Sequence, residues 1–287
     1  MIFLLILYSQ DQNAIKKLRF QPDFKTCVMN KYFKIHGFNK LPASLAFPTL
    51  CMLLGITIWI SGGNQTLFLH INQLASVSGA GLWANLTLFG DTLVALTLLS
   101  PWIYRRPEIL WSALLAGILC AFWVYTLKQG FNMPRPAAVL PADSFTIIGP
   151  SLRQGAFPSG HSATAWCMAG VLWCCVTSRW LRWVIVVLAL GVGVSRIMVG
   201  AHWPVDVLGG MAVGSLCAIA GVGLARRWHW GSGDRGEPVV ALFYMLCGTS
   251  LLFHQQTGYP QAEVLRVAIA IGGLSLGLRN INRFWRH

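Results

Sequence analysis

The segment SRIMVGAHWPVD, residues 195–206, gathers Arg196, His202 and Asp206 in a chain that otherwise carries little charge. Two other segments hold complementary groups. KQGFNMPRP carries Lys128 and Arg135, and FPSGHS carries Ser159, Gly160 and His161. Lys128, Arg135 and Arg196 can surround one group of two or three negative charges. Arg offers bidentate donors that fit phosphate oxygens, and Lys acts as a point charge. Ser159 and Gly160 open an apolar run, so free backbone N–H groups at a helix start would add an anion site. Gly160 would also let an oxyanion approach the backbone. Such a donor set stabilises the charge of a phosphoryl transition state.

Two histidines complete the chemistry. His202 and Asp206 are four apart with Pro204 between them, and Pro favours the first turn of a helix. A helix starting near Trp203 places Asp206 in its first turn, where it can accept from one His202 ring nitrogen. That fixes the tautomer and leaves the other nitrogen free to attack phosphorus. His161, on the opposite wall, can protonate the leaving oxygen. The chain has no carboxylate cluster to hold magnesium, and no metal is expected.

These groups must be positioned by membrane helices. Of 287 residues, 55% are hydrophobic and 11% charged, and mean hydropathy is +0.58. A soluble domain is roughly a quarter charged, so an all-α, polytopic transmembrane bundle is expected. The net charge of +13 then reads as the Lys/Arg excess of cytoplasmic loops and not as a nucleic-acid footprint. Apolar runs predict eight spans: 42–61, 82–104, 108–128, 159–178, 181–199, 204–225, 237–254 and 262–279. Six spans with a re-entrant or interfacial C-terminal pair is the alternative, because Glu263 and Arg266 intrude on the last run. Of the 22 Lys and Arg, all but Lys128, Arg135, Arg153, Arg196 and Arg266 fall on the side of the N-terminus. The bias places that end in the cytoplasm. By span parity the three reactive segments then share the opposite, non-cytoplasmic face.

The expected organisation is a basic cytoplasmic segment 1–41, a six-helix core 42–225, and a C-terminal region 226–287 with two further membrane helices. MIFLLILY at the start is too short to span and lacks a preceding basic region, so it makes a poor signal peptide. Met29 is an alternative start. The 8 Cys, Cys27 among them, have no Cys-x-x-Cys pairing and read as packing residues. Gly209, Gly210, Gly214 and Gly221 read as a close-packing face. His36, His70, His229, His254 and His287 read as structural. Asp91, inside an apolar run, is either functional or bonded to a neighbouring helix. Arg153 reads as a solvated loop charge. A buried ion-pair network would need carboxylates to balance the cations, and only Asp206 and Asp143 are near in sequence.

At these residues the chain resembles the type 2 phosphatidate phosphatase family, which shares its fold with vanadium haloperoxidases. The family pattern is Lys-x6-Arg-Pro, Pro-Ser-Gly-His and Ser-Arg-x5-His-x3-Asp. It stands here as Lys128 to Pro136, Pro158 to His161 and Ser195 to Asp206, within roughly residues 80–225. The resemblance implies a six-helix core and dephosphorylation through a phosphohistidine, without metal or cofactor. It implies His202 as nucleophile, Asp206 as its partner and His161 as acid. It implies Lys128, Arg135, Ser159, Gly160, His161 and Arg196 around the phosphate. The expected protein is a lipid phosphatase of the bacterial inner (cytoplasmic) membrane. Its substrate would be a polyprenyl diphosphate, phosphatidate, phosphatidylglycerophosphate or lipid A, held by its tail in the bilayer. A phosphotransferase using the same intermediate is the alternative. An anionic-lipid transporter ranks lower, since no inverted repeat is visible. The spans exclude a soluble haloperoxidase.

Overall fold

The computed structural model describes residues 41–176, 178–253 and 258–285. The basic N-terminal segment, Met29, Cys27, His36, His254 and His287 lie outside them. Among the described residues every regular element is a helix, and there is no strand. In chain order they form α1 (Leu41–Ile60), α2 (Asn64–Asn72), α3 (Ala75–Ser78), α4 (Ala80–Leu88), α5 (Thr92–Thr97) and α6 (Pro107–Phe131). There follow α7 (Pro136–Val139), α8 (Gly160–Cys175), α9 (Arg179–Met198), α10 (Pro204–Arg227), α11 (Glu237–Phe253) and α12 (Glu263–Trp285). The expected spans 42–61, 108–128, 159–178, 181–199, 204–225, 237–254 and 262–279 each meet one helix, and 82–104 meets two.

Helices α6, α9, α10 and the last, from Pro260, are long and apolar enough to cross a bilayer. Two more crossings are available if the bent pairs α1 with α2–α3 and α4 with α5 each count as one span. The protein is an integral membrane protein.

Two departures from the expected spans have local causes. The run 82–104 is not one helix: it bends by 62° between α4 and α5. Asp91 caps α5, its carboxylate accepting from the Val94 amide at 3.1 Å. A Cβ on the preceding Gly90 would lie 2.7 Å from the Cβ of His161 and from Val192. The break therefore falls where α8 and α9 come close, and Asp91 serves as its cap. The second departure is residues 64–78, expected as a connection. They form α2 and α3, bent 105° from α1, with Phe68, Asn72 and Ala75 buried and Leu67, Leu74 and Val77 exposed.

Helix α8 is the centre of the bundle, packed against α10, α9 and α6. Its 16 residues reach only about 24 Å, short of a ~30 Å hydrocarbon core, and protein surrounds it. The close approach of α10 depends on missing side chains. A Cβ on Gly210 would sit 2.9 Å from that of Ser162, and one on Gly214 would sit 2.9 Å from the Cys167 amide. Gly221 lies against Ala116 of α6 in the same way. The expected glycine face is thus a helix-packing face. Cys120, Cys167 and Cys217 meet between these three helices as packing thiols.

Beyond the core, α11 and α12 pair with each other and lean on α5 and the short 3-10 turn Ser100–Trp102. Arg266, which looked out of place in an apolar run, is buried. It binds Glu263 at 2.7 Å and donates to the carbonyls of Leu251 and Leu252, tying the two helices together.

Candidate active site

Four helix ends and one loop bring the three segments to one end of the bundle. Lys128 lies in the last turn of α6, which stops at Asn132 in the left-handed conformation (φ 39°). The chain then leaves extended through Arg135, which sits just before α7, with Pro136 as the first residue of that helix. Ser159 is the N-cap of α8, its Oγ accepting from Ser162 Oγ at 3.1 Å and from the Ser162 amide at 3.5 Å. Arg196 lies in the last turn of α9. Pro204 takes the first position of α10, as Pro at N1 prefers, so His202 falls just before that helix as expected.

The buried pair His202 and Asp206 is built on this helix start. The Asp206 carboxylate accepts from the Trp203 amide at 2.9 Å and lies 3.4 Å from His202 Nδ1. Asp206 also holds the neighbouring segment, its carbonyl accepting from the Ser159 amide at 2.9 Å. His202 Nε2 faces the other way, 3.2 Å from Arg135 Nη1. With the carboxylate opposite Nδ1, the Nδ1–H tautomer leaves Nε2 as an acceptor toward the cations.

The cations are held by neutral oxygens. Lys128 Nζ donates to the Gly155 carbonyl at 2.5 Å. Arg135 donates to the carbonyls of Gln154 at 2.8 Å, Gly155 at 3.2 Å and Ala201 at 3.2 Å. Arg196 Nη1 donates to Thr87 Oγ1 at 2.5 Å and to the Tyr259 hydroxyl at 2.9 Å. Its Nε is buried with no partner. A buried guanidinium N–H without an acceptor is costly, and a ligand oxygen would satisfy it. His161 stands at the start of α8, partly exposed, two residues beyond the Ser159 amide that donates to the Asp206 carbonyl.

All eight residues singled out from the sequence, His202, His161, Asp206, Lys128, Arg135, Ser159, Gly160 and Arg196, therefore stand on the segments that converge here. Asp143 does not join them and is exposed, as is Arg153, whose backbone carbonyl accepts from the Arg135 amide at 2.8 Å. His70 is exposed and makes a local hydrogen bond, its Nδ1 2.8 Å from the Thr66 carbonyl, in keeping with a structural role, and His229 is exposed too. Sequence reasoning missed Thr87, Tyr259 and Asn72. Asn72 is buried and binds Thr146, Ile197 and Met198, fixing the backbone beside Arg196. Among the described residues no three His, Cys, Asp or Glu converge in a way that could hold a metal ion.

An imidazole with a carboxylate at one nitrogen and a cation at the other, inside a helical membrane bundle, is an arrangement suited to phosphate chemistry. The family described as the PAP2 superfamily matches residues 109–230. The chain is 30% identical over 156 residues to undecaprenyl-diphosphatase BcrC of Bacillus subtilis (strain 168), covering 52% of this chain and 78% of that protein. It is 27% identical over 187 residues to an undecaprenyl-diphosphatase of Sulfolobus acidocaldarius, covering 58% and 83%. The crystal structure of Aquifex aeolicus LpxE superposes with a TM-score of 0.50 at 30% identity, covering 56% of this chain and 94% of that one. The chain belongs to the PAP2 superfamily.

Proposed function

We propose that the protein hydrolyses the phosphate monoester or diphosphate of a lipid at the non-cytoplasmic face, through a phosphohistidine and without a metal. The observation that carries this reading is the orientation of His202, with Asp206 beside Nδ1 and Nε2 turned to Arg135. Polyprenyl diphosphate is the first substrate to try, because two relatives are named undecaprenyl-diphosphatases. Its tail would stay in the bilayer while its diphosphate reaches Lys128, Arg135 and Arg196.

In the first step the Nε2 lone pair of His202 attacks the terminal phosphorus and the bond to the bridging oxygen breaks. His161 gives that oxygen its proton, so the lipid leaves as the monophosphate. Arg135, Arg196, Lys128 and the N–H groups at the start of α8 hold the equatorial oxygens as charge builds. In the second step water attacks the phosphohistidine, His161 takes its proton, and inorganic phosphate leaves with His202 restored. The reading of the non-cytoplasmic face is supported by the opposite end of the bundle. Arg105, Arg106, Arg179, Arg182, Arg226 and Arg227 flank the far ends of α6, α9 and α10, the distribution expected of cytoplasmic loops.

Purified protein in detergent should release phosphate from a polyprenyl diphosphate with EDTA present, and His202→Ala should reduce release to background. Activity that survives this substitution would falsify the mechanism. Label arriving on an added lipid hydroxyl instead of in water would convert the reading to phosphoryl transfer.

A further inference from the structure

The geometry points to Tyr259, carried by the turn between α11 and α12, as a positioning residue of the phosphate site that acts through Arg196. The family match ends at residue 230, so the helix pair that delivers Tyr259 lies beyond it. Even so, Tyr259 is buried and its hydroxyl accepts from Arg196 Nη1 at 2.9 Å, with the guanidinium carbon 6.0 Å from the centre of its ring. Thr87 of α4 takes the same Nη1 at 2.5 Å. Both acceptors are neutral, and no carboxylate pairs with Arg196 among the described residues. The guanidinium is thereby fixed without being neutralised. Its full charge and its unpartnered Nε are left for an anion.

The turn is itself wedged into the site wall. Gly149 has φ 83°, and a Cβ there would meet the Tyr259 ring at 2.5 Å. A Cβ on Gly258 would meet the Pro150 ring at 2.9 Å. The loop through Gly149 and Pro150 continues to Gln154 and Gly155, whose carbonyls hold Arg135 and Lys128. On the other side the turn abuts α4, with Asn85 Nδ2 3.4 Å from the Gln261 carbonyl. The C-terminal pair is thus braced against both supports of the phosphate clamp.

This inference rests on Arg196 being a phosphate ligand. Its test is Tyr259→Phe in the full-length protein, which removes one oxygen and keeps the ring packed. Orientation of Arg196 matters most as charge develops, so kcat should fall about tenfold while KM for polyprenyl diphosphate changes little. Inhibition by orthovanadate, which mimics five-coordinate phosphorus, should weaken by a similar factor, and that by inorganic phosphate much less. In an Arg196→Lys background the Tyr259→Phe change should add nothing further. Wild-type kcat and vanadate inhibition in Tyr259→Phe, with Arg196→Lys impaired, would overturn the role of Tyr259 alone. An unimpaired Arg196→Lys would overturn the phosphate site itself. A lowered melting temperature with no kinetic change would reduce Tyr259 to packing.

Discussion

His202 sits out of water beside two guanidiniums, and both circumstances act on its proton. Burial disfavours the charged imidazolium, and Arg135 and Arg196 disfavour it further, holding its pKa well below the ordinary 6.5. As the proposed nucleophile, His202 would therefore be neutral and ready at neutral pH. Protonation removes it, so its contribution to kcat/KM is complete above the depressed value and lost only as pH falls through it. A pH profile of kcat/KM should accordingly show no loss from His202 between pH 8 and about 6.5. A His202 imidazole that titrates above that range, read by histidine NMR and assigned by its absence in His202→Asn, would contradict the burial argument. The pairing of His202 with Asp206 was legible in the sequence because the two lie one helical turn apart. Thr87 and Tyr259 were not legible. They reach Arg196 across 109 and 63 residues of chain, and nothing in a lone Thr or Tyr marks such a contact.

At the scale of elements, the tight seam between α8 and α10 aligns the proposed nucleophile, His202, with the N-cap of α8. Gly214 abuts backbone, namely the Cys167 amide and the Ala163 carbonyl, and neither can swing aside as a flexible side chain would. Gly214→Ala should therefore destabilise the protein by about 1–3 kcal/mol, read as a drop in melting temperature in detergent, with activity falling alongside. A variant as stable as wild type would mean the seam can open without loss. The glycine spacing announced this seam, and the apolar runs announced the long helices. The break at Gly90 and Asp91 stayed hidden inside an apolar run, because its cause is the proximity of His161 and Val192, which no local pattern encodes. Helices α2 and α3 stayed hidden for a different reason. Their exposed faces mix Leu67, Leu74 and Val77 with Gln65, Thr66 and Gln73, so neither a spanning run nor a clean polar loop is visible.

For the whole molecule, the arginines that gather at one end and the reactive segments at the other make orientation measurable. An alkaline phosphatase reporter fused after Pro150 should be active, and one fused after Gly233 inactive, if the reactive end faces away from the cytoplasm. The reverse pattern would place the chemistry inside the cell and require the lipid to be presented from the inner leaflet. The long apolar helices and the charge bias were available from composition, whereas the number of crossings was not, because two of the apolar stretches bend. The partnership of the C-terminal pair with the site was not, since it exists only once the chain has folded back on itself.

The Gly155 carbonyl, shared by Lys128 and Arg135, has one more consequence. It holds two like charges on one oxygen, which keeps them side by side and turned toward the same place. Each cation has further N–H donors beyond that bond. Under the proposed function a phosphate would meet cations already aligned, with less side-chain freedom left to lose on binding.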